Sequence, residues 1–220
     1  MSSILKIYHG TLEPNLNPIY GGGMEYHDYG KGLYCVEDIE KAKEWACQHE
    51  NNQTSYVYEY ELSLDGLLPP LDLNEYTPAY WLSALASHRY SNKESAILKA
   101  RRLSFINLFP VDCEQYDYIL GWRANDKYFA FLRDFMGVAI SYEAIVEAMK
   151  LGDLGQQVVL KSERAFTNCK QVNKITLSGD DYTHYFGSYH DNDSKAREKM
   201  VELRDTPGST IEQILARGGL

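Results

Sequence analysis

Short strand-forming segments alternate with helical segments along most of the chain, and this order constrains the fold more than any other feature. The clearest strand is predicted at 55–62, where the sequence SYVYEYEL alternates between two faces. Further strands are predicted at 4–9, 32–36, 116–123, 157–162 and 172–177. Helices are predicted at 38–48, 80–88, 93–109, 128–135 and from Ser141 to Gly152. The sequence therefore predicts the α+β class, without an internal repeat.

The C-terminal part of the chain has a different composition. The segment 178–192 is rich in Gly, Asp, Tyr and His and is predicted to be a loop. A helix is predicted at about 194–203, and a last helix begins with a capping box formed by Ser209 and Glu212 and ends near Gly218. We therefore expect a first domain over 1–177 and a C-terminal loop and helical extension over 178–220.

The charge balance argues against a general nucleic-acid-binding protein. The net charge is −9, and residues 1–76 hold all of it, with 13 acids and 4 bases. Binding to a phosphate backbone through charge needs clustered cations. The basic cluster of Lys99, Arg101 and Arg102 is most simply the solvated face of a helix.

The cysteines and the N-terminus predict a soluble, cytoplasmic protein. The four cysteines are scattered without a CxxC pair or zinc spacing, and reduced thiols are expected. The start MSSILKIYHG lacks the features of a signal peptide, and no apolar run reaches the ~18 residues of a membrane span. We expect no metal and no membrane partner.

Three segments place a polar or aromatic side chain beside glycines at the end of a strand. They are YHGT with His9, Gly10 and Thr11, then GKGLYCV with Gly32 and Tyr34 followed by a helix carrying Trp45, and finally GQQVVLKSE with Gln157. Glycines leave a backbone that a ligand can approach, and histidine and glutamine can hydrogen-bond it. Each segment also has a purely structural interpretation: a structural histidine, aromatic core packing and a turn glutamine.

The order of these segments resembles the ADP-ribosyltransferase superfamily, in its His-Tyr-Glu/Gln branch of diphtheria-toxin-like and poly-ADP-ribose-polymerase-like proteins. GKGLYC followed by KAKEWA is similar to that family's G-x-G-I-Y-F and S-x-x-Y, with Ala42 in place of Ser and Trp45 in place of the second Tyr. The wider pattern, over roughly residues 5–170, also resembles an uncharacterised bacterial family of this superfamily. The resemblance implies a split, antiparallel two-sheet β core with helices around it, and NAD⁺ as co-substrate.

The resemblance also implies roles for individual residues. His9 would hydrogen-bond the adenosine-side ribose, and the backbone at Gly10 would hold the nicotinamide carboxamide. Tyr34 would stack on the nicotinamide ring, Trp45 would close the slot, and Gln157 would contact the nicotinamide ribose. Thr11 and Gly32 complete the expected NAD⁺-binding set.

Two features depart from that pattern. Efficient members carry Glu at the third position, where this chain has Gln157, and Glu163 lies about 20 Å further along an extended strand. In addition, the pyrophosphate of NAD⁺ would meet the acidic half of the chain, where Lys31 and backbone amides are the expected countercharges.

The expected function is that of a mono-ADP-ribosyltransferase with some NAD⁺ glycohydrolase activity, acting on an unknown protein or nucleic-acid acceptor. By analogy, a toxin-like or phage-defence effector restrained by a neighbouring inhibitor protein is the expected role. Two alternatives stay open: a tRNA 2′-phosphotransferase-like enzyme, which the acidic balance disfavours, and a catalytically weakened NAD⁺-binding module, which Gln157 favours.

Overall fold

The computed structural model describes residues 3–50, 54–124, 128–148, 151 and 155–220. The described strands are β1 Ile4–Thr11, β2 Leu33–Cys35, β3 Thr54–Ser63, β4 Leu71–Asp72, β5 Tyr118–Trp122, β6 Gln156–Leu160 and β7 Cys169–Ser178. The described helices are α1 Ile39–Ala46, α2 Pro78–His88, α3 Ala96–Leu108, α4 Tyr128–Met136, α5 Tyr142–Ala148, α6 Glu163–Thr167, α7 Gly179–Leu203 and α8 Ile211–Arg217. The predicted α+β class is confirmed.

The strands form two sheets, as expected. The first sheet has the order β1-β3-β7 and the second β2-β6-β5-β4. All the pairings are antiparallel except that of β4 with β5, which is parallel and only two residues long. The sheets meet where Tyr8 and Val36 exchange two backbone hydrogen bonds of 2.8 and 2.9 Å. This bridge brings the end of β1 beside β2.

One hydrophobic cluster lies between the sheets. Ile7, Tyr58 and Leu62 contribute to it from the first sheet, and Leu33 and Leu160 from the second. In β3 the buried Tyr58, Tyr60 and Leu62 alternate with half-buried glutamates, as the period of two predicts. The strand alternation in the sequence therefore identifies the face on which the sheets pack.

A second, larger cluster joins helices α2, α3, α4, α5 and α8 and the end of α7 to the second sheet. Helix α2 is buried nearly all round, which is typical of a helix inside a core. Trp81, Phe105 and Phe135 are among the largest fully buried side chains of this cluster. No helix in the described part of the chain is long and apolar enough to cross a membrane.

The prediction of a loop at 178–192 is wrong, because this segment forms the first half of α7. Its aromatic side chains Tyr182, Tyr185, Phe186 and Tyr189 recur at helical spacing, and the first three pack in the cluster between α7, α1 and the first sheet. Asp180 and Asp181 lie in the first turn, where negative charge favours a helix. Composition suggested a loop, whereas the aromatic spacing carried the helical signal.

The last helix begins one residue later than predicted. The capping box is formed by Thr210 and Gln213, because the backbone of Ser209 is already engaged with Tyr142 and Glu143. Gly218 ends the helix in the left-handed region, with φ 73°, as expected. The placement of a domain boundary at 177/178 stays a prediction.

Three further differences concern short elements. The strand predicted at 157–162 ends at Leu160, since Ser162 caps α6 and Glu163 begins that helix. Neither α6 nor the two-residue β4 was predicted. Gly152, the predicted end of the helix after Ser141, lies outside the described residues. All four cysteines are free in the structure.

Candidate functional site

A cavity of about 760 Å³ opens where β1, β2, α1 and β6 meet the loop that follows β1. Its volume lies in the range of small-molecule and cofactor sites. Six of the seven residues predicted from sequence line it: His9, Gly10, Gly32, Tyr34, Trp45 and Gln157. Thr11 does not belong to the lining, and its Oγ1 accepts a hydrogen bond from the backbone of Glu13 at 3.2 Å. Four separate chain segments therefore bring the predicted residues to one place.

His9 lies near the end of β1, where the bridge between the sheets places it beside β2. Its Nδ1 lies 2.6 Å from the carbonyl oxygen of Tyr34. A carbonyl can only accept, so Nδ1 carries the proton and Nε2 is the acceptor of the neutral ring. Burial lowers the pKa of His9, which keeps the ring neutral at pH 7. The geometry thus prepares His9 to accept a hydrogen bond rather than to donate a second one.

The hydroxyl of Tyr34 is used within the fold. It donates to the carbonyl of Gly30 at 2.6 Å and accepts from the backbone N–H of Tyr29 at 2.9 Å. Burial raises the pKa of this hydroxyl, so it stays protonated. The ring meets His27 edge-on, with centroids 5.1 Å apart. Tyr34 therefore serves the pocket through its ring, because its hydroxyl is committed to the loop.

Lys161 fixes the same loop, which contains Tyr29, Gly30 and Lys31, through its side chain. Its side chain is only 1% exposed, and Nζ donates to the carbonyls of Tyr29 and Lys31 at 2.6 and 2.7 Å. It also pairs with the carboxylate of Glu114 at 2.7 Å. Gly30 lies between these two residues and has a φ of +76°, a backbone conformation that residues with a side chain rarely adopt. Sequence reasoning did not identify Lys161, which shapes the wall of the pocket indirectly.

Gln157 carries a buried acceptor at the pocket. The residue is 7% exposed and lies on β6 opposite Gly121 of β5. Within the described part of the chain, its Oε1 has no hydrogen-bond partner. An unsatisfied buried oxygen costs about 1–3 kcal/mol, and beside a cavity a donor from water or from a ligand can complete it.

Two pocket glycines are required by close backbone packing. A Cβ on Gly10 would lie 2.2 Å from the carbonyl oxygen of Ala42, and one on Gly32 would lie 2.6 Å from that of Leu160. Gly10 therefore lets α1 approach β1, and Gly32 lets the chain approach β6. The expected contact of the Gly10 backbone with a ligand stays a prediction.

Trp45 is already stacked on one side. The guanidinium carbon of Arg123 lies 3.3 Å from the centroid of the indole ring. Arg123 follows β5, is 5% exposed and lines the cavity. A cation over an indole face is attracted by the ring quadrupole. Any stacking of Trp45 on a flat ligand therefore concerns the other face of the ring.

Asp28, which is buried, and Arg89, whose side chain is 20% exposed, form an ion pair in the pocket lining. Arg89 Nη1 lies 2.6 Å from Asp28 Oδ1, and the backbone N–H of Ala124 donates to Asp28 Oδ2 at 3.1 Å. Burial raises the pKa of Asp28, while Arg89 opposes this shift. Sequence reasoning missed both residues, because the fold brings them together from distant segments. Lys31, the cation it named instead, lies outside the lining and pairs with Glu25 at 3.5 Å.

A family model, described as protein of unknown function (DUF3990), matches residues 5–171. This chain belongs to that family. The matched segment of DUF3990 contains β1 through the start of β7, and so every strand that contributes to the pocket. No curated protein and no solved structure gives a match to this DUF3990 chain.

Proposed function

We propose that this DUF3990 protein is an NAD⁺-dependent mono-ADP-ribosyltransferase that releases nicotinamide and transfers ADP-ribose to a macromolecular acceptor. The observation that supports this most is the buried Oε1 of Gln157, which finds no hydrogen-bond partner among the residues that the structure describes. It lies in the same cavity as His9 and Tyr34, which take the other two positions of the His-Tyr-Glu/Gln pattern that the resemblance to ADP-ribosyltransferases implies. A ribose hydroxyl is a donor of the kind that this oxygen lacks.

The proposed reaction needs little acid–base catalysis from the protein. The bond between ribose C1′ and the nicotinamide ring nitrogen breaks, and its electron pair goes to that nitrogen, so that neutral nicotinamide leaves. Positive charge develops on the ribose, and the acceptor nucleophile then bonds to C1′ and gives up a proton. Because the leaving group is cationic at the start, no general acid is required. Binding the charged, flattened ribose is the main task.

The pocket residues suit that task. A neutral His9 accepts a hydrogen bond from a ribose hydroxyl through Nε2, and Gln157 accepts one through Oε1. The ring of Tyr34 provides an apolar surface for the nicotinamide. All three act by positioning the substrate.

A second candidate function is an NAD⁺-binding module with weak or no catalysis. The Gln157 amide is neutral and adds no charge to match a positive ribose. Of the described residues lining the pocket, Asp28 alone carries a carboxylate, and it is paired with Arg89. This candidate predicts NAD⁺ binding without nicotinamide release.

Purified protein incubated with NAD⁺ separates the two candidates. The transferase releases nicotinamide and, when labelled NAD⁺ and a cell lysate are supplied, attaches ADP-ribose to a macromolecule. Digestion of the labelled product with protease or nuclease then identifies the class of acceptor. Binding of NAD⁺ without nicotinamide release, alone or with lysate, would favour the module.

A further inference from the structure

The described residues that line the pocket carry a formal charge opposite to that of the whole chain. The net charge of the protein is −9. Among the described lining residues, however, Arg89 and Arg123 carry two positive charges, and Asp28 carries the single negative one. His9 adds no charge at neutral pH, because burial lowers its pKa. Two arginines among the described lining residues of an acidic protein are suited to an anionic ligand.

The two arginines are held in place by different partners. Arg89 follows the last turn of α2, and Asp28 fixes its guanidinium through the 2.6 Å ion pair. Arg123 is fixed by the indole of Trp45, at 3.3 Å. Asp28 links the two arginines, because its carboxylate also accepts a hydrogen bond from the backbone N–H of Ala124, the residue after Arg123. Both guanidinium groups are thus oriented before a ligand arrives, which reduces the entropy lost on binding.

We propose that Arg89 and Arg123 form a phosphate-binding subsite of this pocket, which takes the diphosphate group of a nucleotide. A guanidinium matches phosphate oxygens in a planar, bidentate geometry. That NAD⁺ is the ligand rests on the proposed function, and a free nucleoside diphosphate carries the same diphosphate group.

The wild-type protein gives the first test. Isothermal titration calorimetry with ADP and with adenosine compares two probes that differ only in the diphosphate. ADP is expected to bind at least about ten-fold more tightly than adenosine, and added salt should weaken the binding of ADP alone. Inorganic pyrophosphate should compete with ADP. Equal affinities for ADP and adenosine would overturn the subsite, and this comparison needs no variant.

Variants test the arginines themselves. Arg89→Gln is expected to weaken ADP binding about ten- to a hundred-fold and leave adenosine binding unchanged, with partial recovery in Arg89→Lys. Arg217→Gln, on an exposed helix end, changes the net charge equally and should leave ADP binding unchanged. If Arg89→Gln weakens ADP and adenosine equally, Arg89 has only a structural role and the subsite is wrong.

The outcomes for the subsite and for the enzyme are separable. Arg89-dependent binding of ADP without nicotinamide release from NAD⁺ would support the subsite and refute the transferase. Nicotinamide release with no dependence of ADP or NAD⁺ binding on Arg89 would support the transferase and refute the subsite. Comparing ADP with NAD⁺ also shows whether a free nucleotide or the dinucleotide is the preferred source of the diphosphate.

Discussion

At Tyr34, the hydroxyl and the ring have separate tasks. The hydroxyl joins the backbone at Tyr29 and Gly30, and the ring lines the pocket. The sequence motif GKGLYC predicted the ring contact with a ligand. It could not predict the hydrogen bonds, because these depend on a loop whose conformation is fixed by Lys161 from a distant strand end.

Two substitutions of Tyr34 separate these tasks. Tyr34→Ala removes the stacking surface, and base–aromatic contacts contribute about 1–3 kcal/mol, so NAD⁺ binding should weaken by about 5- to 150-fold. Tyr34→Phe keeps the ring but loses two hydrogen bonds, each worth about 0.5–1.5 kcal/mol of net stability. It should therefore lower the melting temperature more than it lowers NAD⁺ affinity. Calorimetric titration and thermal unfolding check both, and wild-type affinity in Tyr34→Ala would contradict the assignment.

His9 leads to a prediction about pH. Burial lowers its pKa in the folded protein relative to the unfolded chain, so the unfolded chain binds more protons below about pH 6.5. The stability contributed by neutral His9 is complete above that pH and decreases as the pH falls towards the lowered pKa. NAD⁺ binding should fall only at lower pH, as the pH passes the lowered pKa of His9 in the folded protein, because protonation there removes the Nε2 acceptor.

The variant His9→Ala should abolish nicotinamide release and remove the contribution of His9 to this pH dependence, while the protein stays folded. Denaturant unfolding and NAD⁺ titration at several pH values measure both effects. A drop in stability with unchanged NAD⁺ affinity of the folded protein would show that His9 is structural.

At the scale of elements, the contact between α1 and β1 places Trp45 at the pocket. It depends on Gly10, where a Cβ would lie 2.2 Å from a carbonyl oxygen of α1. Helix α7 supports α1 from the other side through three side-chain hydrogen bonds: Ser188 to Glu44 at 2.6 Å, and Tyr185 with Glu40 and Lys43 at 2.7 and 3.1 Å. Helix α1 was predicted from its cap and apolar spacing. The packing of α7 against it was not predicted.

Gly10→Ala should therefore separate α1 from β1 and destabilise the protein by about 1–3 kcal/mol, as overpacking does. Gly187→Ala is the matched control, because Gly187 lies in α7 with open space around it and a negative φ. Alanine is favoured over glycine inside a helix, so this control should be neutral or stabilising by up to about 1 kcal/mol. Equal stabilities of the two variants in urea unfolding would refute the packing role of Gly10.

For the whole molecule, the C-terminal segment belongs to the packed core. Ile211 and Ile214 of α8 are fully buried in the cluster that contains Phe105 and Phe135. Ile211→Ala or Ile214→Ala should each cost about 2–5 kcal/mol of stability. Val201→Ala, at a side chain 68% exposed on α7, should cost little. Small effects at all three positions would show that α8 is dispensable for folding.

Much of the secondary structure and half of the site follow from local sequence patterns, whereas the arrangement of the strands in two sheets was implied only by the resemblance to ADP-ribosyltransferases. Alternation gives β3, and glycine-flanked motifs give His9, Tyr34 and Gln157, since each motif lies within one short segment. Asp28, Arg89 and Arg123 come from a loop, a helix end and a strand end. Only tertiary packing brings those three together, and no local period or motif signals their proximity.

Nicotinamide release from NAD⁺ by three forms of the protein, wild type, Gln157→Ala and Gln157→Glu, tests the central claim most directly. Melting temperatures are measured alongside. We expect Gln157→Ala to lower turnover more than NAD⁺ affinity. Gln157→Glu should raise turnover, because a carboxylate matches the positive ribose and such electrostatic stabilisation contributes several kcal/mol. The same rate of nicotinamide release in all three folded proteins would contradict the account, because Gln157 would then be a structural residue of β6.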